Sequence, residues 1–131
     1  MTGFLSGWLA LALIPGAALA GWSLRRFARG GLAARMRPHF VLGYAALALA
    51  LVHLSSYMGA MRGANATGLW FATLATLALL LQALLGSNLQ SPGLYRVPLR
   101  RWHLGVFIVA LTLVGLHVVY DAAWSPVGIA R

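Results

Sequence analysis

Residues 38–57 read PHFVLGYAALALALVHLSSY, an apolar run of membrane-spanning length that carries two histidines, His39 and His53. The two histidines are fourteen positions apart. At 3.6 residues per turn, fourteen residues return to about the same face of a helix after a rise of about 21 Å. The spacing therefore predicts one imidazole near each edge of a hydrocarbon core that is about 30 Å thick.

A second run repeats this arrangement. Residues 100–120 read RRWHLGVFIVALTLVGLHVVY and place His103 and His117 fourteen positions apart as well. Two such helices side by side would offer two pairs of imidazoles, one above the other. The chain has four histidines in total, so the two runs hold all of them.

The composition predicts an integral membrane protein. Hydrophobic residues make up 61% and charged residues 8% of the 131 positions, against about 45–50% and 25% in soluble domains. The formal charge of +9 comes from ten arginines and one aspartate, and most of the arginines lie between the apolar runs. The positive-inside rule accounts for them there, so nucleic-acid binding is not expected. The chain lacks cysteine, so metal ligation would fall mainly to histidine.

The apolar runs predict one all-α domain over residues 1–131, an integral membrane four-helix bundle. Its predicted spans, numbered I to IV, are residues 4–24, 38–58, 67–85 and 99–120. Span II is expected to begin at Pro38, because proline suits the first turn of a helix, so that His39 enters in that first turn. Span III carries no ionisable group and is expected to serve as scaffold.

Arginines predict the orientation in the membrane. Five of them lie between spans I and II and three near the start of span IV, whereas Arg62 alone lies between spans II and III. By the positive-inside rule the first and third loops are cytoplasmic and both termini are outside. The expected location is a bacterial inner membrane.

Spans II and IV are separated by one intervening span, so they should run in the same direction. His39 is then expected to meet His103 on the cytoplasmic side, and His53 to meet His117 on the outer side. An ionisable residue inside a membrane usually faces the bundle interior and a specific partner.

Four histidines in this pattern could serve a zinc site, a proton relay or two haems. Zinc needs ligands within about 2.1 Å of one ion, which residues about 21 Å apart on a helix cannot supply. A proton relay normally includes carboxylates, and the only acid, Asp121, lies at the outer end of span IV. Two haems, stacked between spans II and IV and each held by two imidazoles, use all four residues. Without cysteine no C-x-x-C-H attachment motif exists, so the expected cofactors are two haem b groups.

Bis-histidine ligation leaves no open iron position, so electron transfer is expected rather than oxygen binding. Haem propionates would need cationic partners near the membrane edge. Charge-assisted hydrogen bonds are expected from arginines next to the inner histidines: Arg35, Arg37, Arg100 and Arg101. Arg62 is the candidate near the outer haem, and topology control explains the inner arginines equally well.

Two further features bear on the histidines. Gly7 and Gly21 in span I are also fourteen apart and would let flat ligands approach the backbone at the same two depths, although small residues are common in membrane helices. Ligating histidines tend to donate their second ring N–H to an acceptor. Here backbone carbonyls or the hydroxyls of Ser55, Ser56 and Thr112 are the candidates.

The segments RMRPHFVLGYAALALALVHLSSYM and PLRRWHLGVFIVALTLVGLHVVYDAAW resemble the two histidine helices of the ferric reductase-like transmembrane domain. That domain is the haem-carrying part of ferric reductases, NADPH oxidases and the bacterial methionine-sulfoxide reductase haem subunit. The resemblance implies that His39 and His103 hold an inner haem and that His53 and His117 hold an outer haem. That domain usually has six spans against the four expected here, and these 131 residues are not expected to include the flavin and nicotinamide-binding domains of its best-known members. The cytochrome b subunit of quinol-oxidising complexes is similar in its fourteen-residue histidine pairs.

Three functions follow as hypotheses. The first is a dihaem b-type cytochrome that carries electrons across the membrane as the haem subunit of a larger complex, with membrane lipid and redox subunits or a quinone as partners. The second is a stand-alone reductase that passes electrons from a quinol to ferric iron, oxygen or superoxide at the outer haem. The third is a haem-free assembly or transport protein. An electron-transfer subunit of an oxidoreductase is favoured over a self-sufficient enzyme.

Overall fold

The computed structural model describes residues 2–27, 31–58, 66–90 and 95–124. Within them the chain forms four α-helices: α1 (Thr2–Phe27), α2 (Leu32–Met58), α3 (Ala66–Asn88) and α4 (Arg96–Trp124). All four are long and apolar enough to cross a membrane. The predicted all-α architecture with four membrane-length helices is confirmed, and it fits an integral membrane protein.

The predicted start of span II is wrong. Helix α2 begins at Leu32, so Pro38 lies inside the helix and His39 lies nearly two turns beyond its start instead of in the first turn. The residues before Pro38 are mostly good helix formers, leucine, alanine, arginine and methionine, and they extend the helix backwards. Proline costs one hydrogen bond there, because it lacks the N–H that would bond to the carbonyl four residues earlier.

The four helices form two antiparallel hairpins. Helix α1 packs along α2, and α3 packs along α4, whereas the packing of α2 against α3 is less extensive. A hydrogen bond of 2.7 Å between the hydroxyls of Tyr44 and Ser87 joins α2 to α3. Successive helices alternate in direction, so α2 and α4 run parallel, as the sequence predicts.

The second hairpin repeats the first. Buried positions of α1 recur in α3 sixty-five residues later, as the pairs Gly3 and Gly68, Ala10 and Ala75, Ile14 and Leu79, and Gly21 and Gly86. Positions of α2 recur in α4 sixty-four residues later, as the pairs His39 and His103, Ala46 and Ala110, and His53 and His117. The fourteen-residue histidine spacing is therefore one part of a repeat that covers both hairpins.

The core at mid-bundle takes one residue from each helix: Ile14, Ala46, Leu79 and Ala110. Ala46 and Ala110 lie seven residues from each histidine of their helices and are almost fully buried, at 2% and 0% exposure. Most large apolar side chains instead lie on the outer surface, for example Trp70 and Trp102. Since lipid tails are as apolar as these side chains, that surface suits lipid contact.

Charge is divided between the two ends of the bundle. The described arginines lie where α1 ends and where α2 and α4 begin: Arg25, Arg26, Arg35, Arg37, Arg96, Arg100 and Arg101. Asp121, the only acidic side chain of the sequence, lies at the opposite end. Arg62 lies outside the described residues, so its predicted place near the outer histidines is not described.

Candidate functional site

The four histidines lie in two layers between α2 and α4. At the arginine-rich end, the ring centroids of His39 and His103 are 6.2 Å apart and the rings are inclined by 69°. At the other end, those of His53 and His117 are 6.0 Å apart and inclined by 72°. We call the first pair the inner layer and the second the outer layer. The predicted pairing by depth is confirmed.

The ring separation suits a metal ion between the two imidazoles of a layer. With metal–nitrogen bonds of about 2 Å, and ring centroids about 1.1 Å from each ligating nitrogen, two opposed imidazoles have centroids about 6.2 Å apart. Direct packing of aromatic rings covers centroid distances of about 4.5–7 Å, which includes this value. The hydrogen bonds of the rings therefore carry more weight than their spacing.

Three of the four imidazoles donate a hydrogen bond from Nδ1 to a main-chain carbonyl of the neighbouring helix. These bonds join His39 to Ala17 at 2.7 Å, His53 to Gly3 at 2.7 Å and His117 to Gly68 at 3.1 Å. A carbonyl oxygen only accepts, so Nδ1 is a donor in each of these bonds, and in the neutral ring the lone pair is then on Nε2. Metal-ligating histidines use their other ring nitrogen in this way.

The hydroxyl groups considered as acceptors from the sequence bond elsewhere. Ser55 and Ser56 donate to the carbonyl of Val52 at 3.0 and 2.7 Å, and Thr112 donates to the carbonyl of Ile108 at 3.0 Å. All three bonds stay within the helix of the donor. Backbone carbonyls of α1 and α3 are the acceptors instead, because the register of each hairpin brings them to the rings.

Gly7 and Gly21 contact the histidine rings at the two predicted depths. A Cβ atom at Gly7 would lie 2.6 Å from Nδ1 of His53, and one at Gly21 would lie 2.9 Å from Nδ1 of His39. Each glycine lies one turn beyond the carbonyl that accepts from the same ring. Any larger residue would have to displace the ring, so glycine is required for this contact.

His103 is the exception among the four rings. Its Nε2 lies 3.1 Å from Nε2 of the Gln82 side chain. Its Nδ1 and the Oε1 of Gln82 are both buried and make no hydrogen bond within the described part of the chain. Span III was expected to be scaffold, so sequence reasoning missed Gln82. The available signal was its position fourteen residues after Gly68, the same interval as between the histidines.

His117 has a second polar neighbour. Its Nε2 lies 3.6 Å from Oδ2 of Asp121, one helical turn further along α4, where the carboxylate is largely exposed. The distance exceeds that of a normal hydrogen bond. The hydrogen bond from Nδ1 to the carbonyl of Gly68, at 3.1 Å, is therefore the shorter of the two contacts that orient this ring.

Arginines surround the inner layer at the end of the bundle. Arg35 is partly buried, whereas Arg37, Arg100 and Arg101 are exposed. Arg25, which sequence reasoning did not select, donates from Nε to the carbonyl of Gly21 at 2.8 Å and so lies one turn beyond the inner layer. No acidic side chain accompanies them at this end, since the only one lies at the other end.

Each layer offers two ligands and no more. Among the described residues, no group of three or more histidine, cysteine or acidic side chains could hold a metal ion. Zinc sites use three or four protein ligands. Two imidazoles per layer suit a metal whose remaining ligands belong to a cofactor, as they do in a bis-histidine haem.

Comparisons with protein-family models, curated proteins and solved structures found no match for this chain. The resemblance to the ferric reductase-like domain therefore stays a prediction that rests on the histidine helices themselves. The geometry of the two layers is the basis for assigning a function.

Proposed function

We propose that this protein is a dihaem b-type cytochrome that carries electrons across a membrane as the haem subunit of a larger redox complex. The observation that carries the proposal is the hydrogen bonding of the two histidine layers. Three rings are fixed through Nδ1 to carbonyls of the neighbouring helix, which leaves Nε2 as the ligand atom.

The residues have separate roles in this proposal. His39 and His103 would hold the inner haem, and His53 and His117 the outer haem. When bound, the two haems supply the one-electron chemistry. The carbonyl acceptors would fix the orientation of the rings of His39, His53 and His117 and raise the basicity of their ligating nitrogens. Held by two imidazoles, each haem would supply electron transfer rather than oxygen binding.

The residues between the layers favour the passage of electrons over protons. The core there consists of Ile14, Ala46, Leu79 and Ala110, none of which can bind a proton. A proton relay normally runs through ionisable side chains inside the membrane. An apolar core of this kind keeps the two layers apart without offering a path for protons.

The arginine-rich end supports the predicted orientation. By the positive-inside rule we expect that end to face the cytoplasm and both termini to lie outside, and the proposed location is a bacterial inner membrane. The propionates of the inner haem would be neutralised through charge-assisted hydrogen bonds by the arginines at this end: Arg25, Arg35, Arg37, Arg100 and Arg101. A redox subunit or a quinone would serve as its electron donor or acceptor.

The test is a dithionite-reduced minus oxidised visible spectrum of the purified protein, with a pyridine haemochrome assay for haem type and amount. We expect about two haems b per chain and a low-spin spectrum. His53→Ala and His117→Ala should each lose one haem, and Ser55→Ala, a control on the exposed face of α2, should keep both. A colourless protein, or a full haem complement in both histidine variants, would contradict the proposal.

A further inference from the structure

The two hairpin repeats predict where each histidine should find its acceptor. Gly3 and Gly68 occupy equivalent positions of α1 and α3, and their carbonyls accept from His53 and His117. The equivalent of Ala17, which accepts from His39, is Gln82, sixty-five residues later. Gln82 therefore occupies the acceptor position for His103. Of these four acceptor positions it is the one with a side chain that can form hydrogen bonds.

The contact between Gln82 and His103 leaves one buried donor and one buried acceptor unmatched. The amide nitrogen of Gln82 lies 3.1 Å from Nε2 of His103, where it can only donate to a ring nitrogen that has no proton. The proton of a neutral ring is then on Nδ1, which makes no direct hydrogen bond although the main chain of Gln82 lies beside the ring. Oε1 of the same glutamine has no donor. Each such buried group lowers stability, so a rearrangement that pairs them is favoured.

We propose that Gln82 is a positioning residue for the inner haem, whose Oε1 accepts the Nδ1–H of His103 when Nε2 of that ring binds the iron. This inference rests on the proposed dihaem function. Ligation removes Nε2 from the amide, and the two unmatched groups then pair with each other. The main chain of Gln82 also lies beside this ring, so at the inner site a side-chain acceptor would join the main chain that alone serves the other three rings.

A side-chain acceptor makes the inner haem tunable by mutation. An acceptor on Nδ1–H makes the imidazole a stronger donor to the metal, which favours oxidised over reduced iron and lowers the reduction potential. Removing the acceptor should raise the potential of the inner haem. A residue that only filled space would leave the potential unchanged when it is replaced by one of similar size.

The experiment measures potentials and haem retention in three variants. Gln82→Leu removes the acceptor at similar size, Gln82→Glu keeps an oxygen in its place, and Gln90→Leu makes the same chemical change at an exposed position after α3. All are titrated potentiometrically, both in the full protein and in a His117→Ala background that keeps only the inner haem. Wild-type haem content is measured first.

We expect Gln82→Leu to shift the reduction equilibrium of the inner haem about tenfold towards the reduced form, which is about 59 mV for a one-electron couple. The same variant should retain the inner haem about 10–100-fold more weakly, as second-shell changes typically do. Gln82→Glu should keep the haem at a wild-type or lower potential. Gln90→Leu should behave as wild type.

Other outcomes would overturn the inference. An unchanged reduction potential in a Gln82→Leu protein that holds both haems would show that Gln82 only fills space. Tighter haem retention in that variant would show that the amide competes with iron for Nε2. If Gln82→Leu loses the inner haem completely, the Gln82→Glu variant decides between the two interpretations. Retention of the inner haem in Gln82→Glu supports the positioning role, and loss of that haem overturns it. A wild type without haem would overturn the proposed function, whereas a failure confined to the Gln82 variants would leave it standing.

Discussion

The carbonyl oxygen of Ala17 on α1 accepts a 2.7 Å hydrogen bond from Nδ1 of His39 on α2. One turn further along α1, Gly21 lies against the same ring. The carbonyl fixes which nitrogen carries the proton, and the missing side chain gives the ring its place. Gly3 and Gly7 make the equivalent contacts with His53 of the outer layer, so α1 orients one histidine ring in each layer.

Enlarging either glycine should therefore remove one haem and leave the other. In Gly7→Leu the new side chain would start 2.6 Å from the ring of His53, and in Gly21→Leu 2.9 Å from the ring of His39. We expect loss of the outer haem in the first variant and of the inner haem in the second, measured as about half the wild-type haemochrome. Gly43→Leu is the matched control, since nothing lies within 4 Å of a Cβ at that position. Loss of both haems in either variant, or of neither, would contradict this role for the glycines.

Combined histidine substitutions should follow the layers. His39→Ala with His103→Ala removes two ligands of one layer, so the double variant should lose one haem, as each single variant does. His39→Ala with His53→Ala removes one ligand from each layer and should lose both haems. Groups that act as a unit are non-additive in this way. The measurement is the number of haems per chain by the haemochrome assay. Equal haem losses in the two double variants would contradict the pairing of His39 with His103 at one haem.

The histidine layers were predictable because their geometry is local. Helix periodicity puts residues fourteen apart on one face, and span length and alternation make α2 and α4 parallel, so His39 must meet His103. Backbone carbonyls are predictable as acceptors, but the sequence does not show which carbonyls they are, and the only sequence signal for Gln82 is its fourteen-residue interval from Gly68. Every residue has a carbonyl, and only the register between two packed helices selects the carbonyls of Ala17 and Gly68. The early start of α2 does not follow from the sequence pattern, because proline favours the first turn of a helix, whereas α2 holds Pro38 in its interior at the cost of one hydrogen bond.

Enlarging the mid-bundle alanines should destabilise the fold. Ala110 is fully buried and Ala46 nearly so, in a core formed by all four helices. Ala110→Phe should cost about 1–3 kcal/mol, because overpacking forces side chains or backbone to shift. Thermal unfolding in detergent is the measurement, with Ala48→Phe on the exposed face of α2 as control. Equal melting temperatures for the two variants would mean that the centre of the bundle is loosely packed and accommodates the larger side chain.

The absence of cysteine from the sequence allows a direct test of orientation. Gln90→Cys places a single thiol at the arginine-rich end, and Asp121→Cys places one at the opposite end, both at exposed positions. If the arginine-rich end is cytoplasmic, as the positive-inside rule predicts, a membrane-impermeant thiol reagent should label Asp121→Cys in intact cells. Gln90→Cys should be labelled only after permeabilisation. The reverse labelling pattern would show the opposite orientation in the membrane, with the inner layer and Gln82 on the outer side. Neither variant changes an arginine, so the groups that determine the topology are the same in both.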